Sequence, residues 1–155
     1  MDRELQFTVE NLLARYVHAL DDDRLEEWPG FFTESCRYRI TTAENHAREL
    51  PLPLVYADSR AMLRDRVNAL RHANIYEPQR YRHLVSSLLV ERLDAGAVRA
   101  VSNFQVVRIM AGGESALFAS GRYLDRIALK DEPLFEEKLV VLDSRRVDTL
   151  LAIPL

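Results

Sequence analysis

Leu5, Val9, Leu12, Leu13, Tyr16, Val17 and Leu20 recur at three- and four-residue steps and form one apolar stripe. That period predicts an amphipathic helix over the first segment. "DDD" at 21–23 follows. Asp23 is placed to cap a second, short helix over "RLEEWPGFF", with Glu26 three residues on as in a capping box. Pro29 and Gly30 end or distort that helix, and Trp28, Phe31 and Phe32 pin it to a core. "CRYRITTA", 36–43, alternates: Cys36, Tyr38 and Ile40 on one face, Arg37, Arg39 and Thr41 on the other, as in a half-buried strand. "ENHARELPLPLV" breaks the pattern and reads as a loop. "SRAMLRDRVNALRHANIY" is a second long helix, N-capped by Ser59, with Met62, Leu63, Val67 and Leu70 as its stripe.

After Pro78 the period changes to two. "RYRHLVSSLLVERL", "AVRAVSNFQVVRIM", "SALFASGRYLDRIAL" and "LFEEKLVVLDS" are β-rich runs separated by "DAG", "AGGE" and "KDEP". Breaks that short predict hairpins and an antiparallel meander. "RRVDTLLAIPL" adds a last strand. Helices first and strands later predict an α+β fold, with helices packed on one face of a curved, mainly antiparallel sheet.

Composition narrows the class. The 155 residues suit one domain, and 48% hydrophobic with 29% charged residues is ordinary globular usage. The formal charge of −3 argues against non-specific binding to nucleic acid or acidic membranes. Cys36 is the one cysteine, which suits a reducing, cytoplasmic setting. The first residues lack the basic start and apolar core of a signal peptide, and no window is apolar enough to span a membrane.

Candidate chemistry is sparse. His18, His46, His72 and His83 belong to no metal-ligand spacing. Cys36, facing inward, reads as a small apolar residue rather than a nucleophile. Asp21, Tyr38, His83 and Asp125 are the candidates for acid–base work in a cone-shaped pocket. Against that stands a structural reading: Asp21 caps or solvates a helix end, Tyr38 packs, and Asp125 pairs with an arginine. The stretch from Asp58 to His83 holds six arginines and three acids. Arginine and tyrosine together suit either a solvated, salt-bridged face or a protein interface.

Four blocks carry a resemblance: "LDDDRLEEWPGFFTESCRYRI"; the helix "DSRAMLRDRVNAL" running into "RYRHLVSS"; "VSNFQVVR" with "FASGRYLDRI"; and the ending "LVVLDSRRVDTLLAIPL". Their residues include Trp28, Phe32, Cys36 and Tyr38, then Arg80, Arg82 and His83, then Gly121, Arg122, Tyr123 and Asp125. In order and spacing they resemble the small, or β, subunits of Rieske non-haem iron aromatic-ring-hydroxylating dioxygenases, most of all those acting on aromatic acids of the terephthalate, salicylate or benzoate type. The resemblance implies one nuclear transport factor 2-like (cystatin-like, SnoaL-like) domain over 1–155, a cone-shaped α+β barrel. It also implies a cytoplasmic hexamer of three large and three small subunits, with a homotrimer of small subunits inside it. The Rieske cluster and the mononuclear iron are then held by the large α subunit, and this chain carries no cofactor, metal or catalytic residue. A Rieske centre needs two cysteines and two histidines, which Cys36 alone cannot help to supply. On this reading Arg80, Arg82 and His83 are inter-subunit contact residues, and a ring buries the apolar end "LLAIPL". The competing expectation is a stand-alone isomerase or dehydratase of the same cone fold, working through pocket acid–base residues.

Overall fold

The computed structural model describes residues 2–50, 53–73, 77–145, 151 and 153–155. Helix α1, Arg3–Asp21, is capped by Asp2, whose side chain accepts from the Leu5 N–H at 3.0 Å. All seven residues of its predicted stripe are buried. A 3-10 helix, Leu25–Phe31, leads into strand β1, Phe32–Thr42. Then come helix α2 (Ala43–Ala47), strand β2 (Val55–Ala57), helix α3 (Arg60–His72) and strands β3 (Gln79–Asp94), β4 (Ala97–Met110), β5 (Ser115–Leu129) and β6 (Pro133–Leu142).

The sheet runs β2-β1-β6-β5-β4-β3. Strands β3 to β6 form the expected antiparallel meander, and β1 joins β6 in parallel. The sheet stays open, with β2 and β3 as its edges, so "barrel" describes its curvature only. Helices α1 and α3 and the 3-10 helix lie on its concave face, where the apolar residues of both layers meet. The order of elements implied this α+β arrangement, and the resemblance implied its cone shape.

Several local readings are corrected. The turn after α1 uses no capping box: the 3-10 helix starts from Arg24 without a side-chain cap, and Asp23 sits at φ 61°. Asp23 and Glu26 instead grip Arg71 of α3, with contacts of 2.8–3.1 Å. The supposed loop after β1 holds α2, capped by the Thr42 hydroxyl, and the short strand β2. Ser59 does cap α3, but Met62 lies outside its buried stripe. The last strand and the end of the second long helix fall largely at 146–150, 152 and 74–76, outside the described residues.

A bulge in β3 decides which side chains face out. Register shifts between Ser86 and Leu89, with Ser87 at φ 56°. Before it, Tyr81, His83 and Val85 face the core; after it, Leu88 and Val90 do, leaving Leu89 and Glu91 outside. One extra residue thus swaps the two faces of the strand.

Candidate functional site: a filled cone and its outer face

The inside of the cone is packed with aromatic rings. Tyr16 of α1, Trp28 of the 3-10 helix, Phe32 and Tyr38 of β1, Tyr123 of β5 and Phe135 of β6 are all wholly buried or nearly so. Their rings meet mostly edge to face at centroid distances of 5.1–6.4 Å. That geometry sets positive ring edges against negative faces. Burial pushes the Tyr16, Tyr38 and Tyr123 hydroxyls well above the usual phenol range, so all three stay neutral.

Leu155 closes this cluster. The Tyr16 and Tyr38 hydroxyls each donate to its main-chain oxygen at 2.9 Å, and its N–H donates to the Tyr38 oxygen at 3.2 Å. The Trp28 indole N–H donates to the Tyr16 oxygen at 3.1 Å. Ile153 and Leu155 are buried in the chain's own core. The expectation that a ring of subunits must cover the "LLAIPL" end is therefore corrected for these two residues, because the cone itself removes them from water.

The four acid–base candidates fall into separate settings. Asp21, the last residue of α1, is not solvated at a helix end. Its Oδ1 lies 2.6 Å from His83 Nδ1, and its Oδ2 accepts from the His83 main-chain N–H at 2.9 Å. One carboxylate thus fixes both the ring and the backbone of β3 against the end of α1. The proton belongs on Nδ1 in this arrangement, which leaves Nε2 as a buried atom without a hydrogen-bond partner.

Asp125 pairs with a lysine, not an arginine. Lys138 Nζ lies 3.2 Å from both carboxylate oxygens, and both side chains are fully buried. The same ammonium sits 3.6 Å from the centroid of Tyr123, 4.3 Å from Phe135 and 4.6 Å from Tyr16. Three ring faces and one carboxylate replace its water. Burial pushes the Asp125 carboxyl up to about 6 against the pull of Lys138, and burial draws the Lys138 ammonium down against the pull of Asp125. Sequence reasoning missed Lys138. The only available signal was a lysine at an inward position of "LFEEKLVVL", opposite Asp125 in the meander.

Cys36 is buried, and burial raises its thiol above the ordinary range, so it packs as an apolar group. Among the described residues no group of three or more His, Cys, Asp and Glu side chains is placed to hold a metal ion. No helix of the described residues is long and apolar enough to cross a membrane.

The block around Arg80 divides by face. Arg80 and Arg82 project from the outer face of β3, and Tyr81 and His83 point inward. Across the sheet Arg82 aligns with Val107 and Leu117, and Leu84 lies two residues on. Leu84 and Leu117 are more than half exposed. Among the described residues no acidic side chain is in ion-pair reach of either arginine. Unneutralised arginines beside exposed leucines have the composition of a protein-contact surface.

An open cone of helices on a curved six-stranded sheet, with its polar interior groups mostly bound to one another, is an α+β fold of the nuclear transport factor 2-like type. The chain belongs to the ring-hydroxylating β-subunit family, which it matches over residues 15–149. It is 46% identical to subunit β1 of the terminal oxygenase component of terephthalate 1,2-dioxygenase from Comamonas, over the full length of both chains. It is 42% identical to the small subunit of anthranilate 1,2-dioxygenase from Burkholderia cepacia, covering 99% of this chain and 96% of that one. A crystal structure from Novosphingobium aromaticivorans, assigned as the β subunit of an aromatic-ring-hydroxylating dioxygenase, superposes with a TM-score of 0.90 at 34% identity, covering 99% and 98% of the two chains.

Proposed function

We propose that this chain is a non-catalytic assembly subunit: residues 1–155 form one domain that holds the large, iron-bearing subunit of an aromatic-ring dioxygenase in its working geometry. The reaction serves the breakdown of an aromatic acid, as the names of the terephthalate and anthranilate relatives suggest. The observation that carries the reading is the pairing of the candidate acid–base groups inside the cone. Tyr16 and Tyr38 are engaged by Leu155, Asp125 by Lys138 and Asp21 by His83. Catalytic groups need a reachable substrate, and these are spent on one another. The chemistry of the chain fits the same division of labour, since Cys36 alone cannot build a Rieske centre.

The complex has three large and three small subunits and works in the cytoplasm. Arg80 and Arg82 contact a neighbouring subunit, with arginine's forked donors suited to carboxylates across the interface. His83 has no exposed side chain, so its part is to hold β3 in place behind them. The test is co-expression with the large subunit of the oxygenase. Arg82→Ala, and more strongly Arg80→Glu/Arg82→Glu, should reduce the captured large subunit without lowering the melting temperature of the small one. Unchanged capture by the double variant would remove the two arginines from the interface.

A further inference from the structure

The seat of Leu155 is built like a binding site. Tyr16 reaches it from α1, Tyr38 from β1, and Trp28 of the 3-10 helix stands behind Tyr16. Two phenol hydroxyls converge on one main-chain oxygen at 2.9 Å each, and the Tyr38 oxygen takes the N–H of the same residue at 3.2 Å. A carbonyl and an N–H on either side of one Cα make an acylamino unit, and both halves of it are read. The Trp28 indole donates to the Tyr16 oxygen, and a hydroxyl that accepts one hydrogen bond donates a stronger one. All three of these side chains are buried, so water does not compete for the bonds.

Two further observations set this seat apart from ordinary core. The described main-chain hydrogen bonds of Leu155 go to side chains, whereas β1 and β6 bond to neighbouring strands. The surroundings also hold a hydroxyl that Leu155 does not use. Tyr123 meets the Tyr16 ring edge to face at 6.4 Å, and its buried hydroxyl has no hydrogen-bond partner among the described residues. A buried hydroxyl left over has room in its bonding for one more acceptor atom, such as the second oxygen of a carboxylate.

We infer that the cone contains a recognition site for an apolar acylamino unit, the kind carried by a peptide or an N-acyl amino acid, and that residues 153–155 fill it as an exchangeable internal ligand. The apolar half of the recognition is the burial of the Ile153 and Leu155 side chains, 5% and 0% exposed. The polar half is the pair of hydroxyls from Tyr16 and Tyr38. When the segment leaves, these two donors lose the oxygen they share, and a molecule that brings the same carbonyl, N–H and branched apolar group restores it. The site lies inside one small subunit and makes no demand on the Arg80 and Arg82 surface.

The test starts from the whole chain. A specific protease site is inserted after Arg145, the protein is folded intact and then cut, and the cut protein is mixed with a dye-labelled peptide of sequence RVDTLLAIPL, residues 146–155. The cut protein should keep its own fragment through gel filtration and exchange it for the labelled peptide, read by fluorescence anisotropy, while circular dichroism stays that of the folded chain. Trp28, the one tryptophan, reports on the seat itself: excess N-acetyl-leucine should shift its emission and displace the labelled peptide. Tyr38→Phe removes one donor and the one acceptor, and should weaken the labelled peptide about tenfold. A fragment that never exchanges, a chain that unfolds whenever the fragment leaves, or Tyr38→Phe binding as tightly as wild type would each overturn the proposal. If the insertion itself prevents folding, Ile153→Asp/Leu155→Asp in the uncut chain drives the segment out of the apolar seat. The same peptide added in trans should then raise the melting temperature, and no rise counts against the site. Capture of the large subunit by the uncut chain is a separate readout, so failure here is distinguishable from failure of the assembly reading.

Discussion

Lys138 and Asp125 set the electrostatics of the interior at the scale of single residues. The lysine is buried because three rings and a carboxylate stand in for water. Lys138→Met leaves Asp125 buried alone and should cost about 3–5 kcal/mol in urea unfolding, whereas Asp125→Leu/Lys138→Met should recover most of it. The raised carboxyl also gives a pH signature. Between the ordinary Asp value near 4 and the folded value near 6, the folded state holds a proton that the unfolded state has lost. Stability then falls as pH rises. The Asp125 contribution is complete below about pH 4 and gone above about pH 6. Subtracting the unfolding free energy of the double variant from that of wild type should expose this fall; a difference flat over that window would contradict it. The Leu155 seat gives a second residue-scale test. Tyr38→Phe removes a hydroxyl that both donates to and accepts from Leu155, and should cost about 1–3 kcal/mol in the same assay.

At the scale of elements, the spacing of β5 and β6 depends on Gly121. A Cβ there would stand 2.0 Å from the Val141 carbonyl oxygen, which is backbone and cannot swing aside. Gly121→Ala should therefore force the strands apart and lower stability by more than about 3 kcal/mol, read as a loss of soluble yield or melting temperature. The elements themselves were largely legible beforehand. The stripe of α1, the Ser59 cap and the four β-runs obey periods that depend only on backbone geometry. What local pattern hid was long-range. Asp23 and Glu26 look like a helix start, yet their partner is Arg71, far along the chain. Asp125 meets Lys138 only once β5 and β6 pair. Asp21 meets His83 only once α1 crosses β3. The candidate residues could be named from the sequence, but their partners could not, because pairing is set by register and by the bulge at Ser87 rather than by neighbouring residues.

For the whole molecule, the interior is spent on holding itself together, and the outer face of an open sheet is left for neighbours. On the proposed function, this chain works by assembling with a larger, iron-bearing one. The most direct measurement is capture of the tagged chain from its native cells grown on an aromatic acid, with the visible spectrum, the native mass and the subunit ratio of what accompanies it. The expected result is a brown complex in which a larger chain is present in equal amount, at a mass fitting three of each. A colourless homo-oligomer with no large partner, from cells shown to be consuming the aromatic acid, would contradict it.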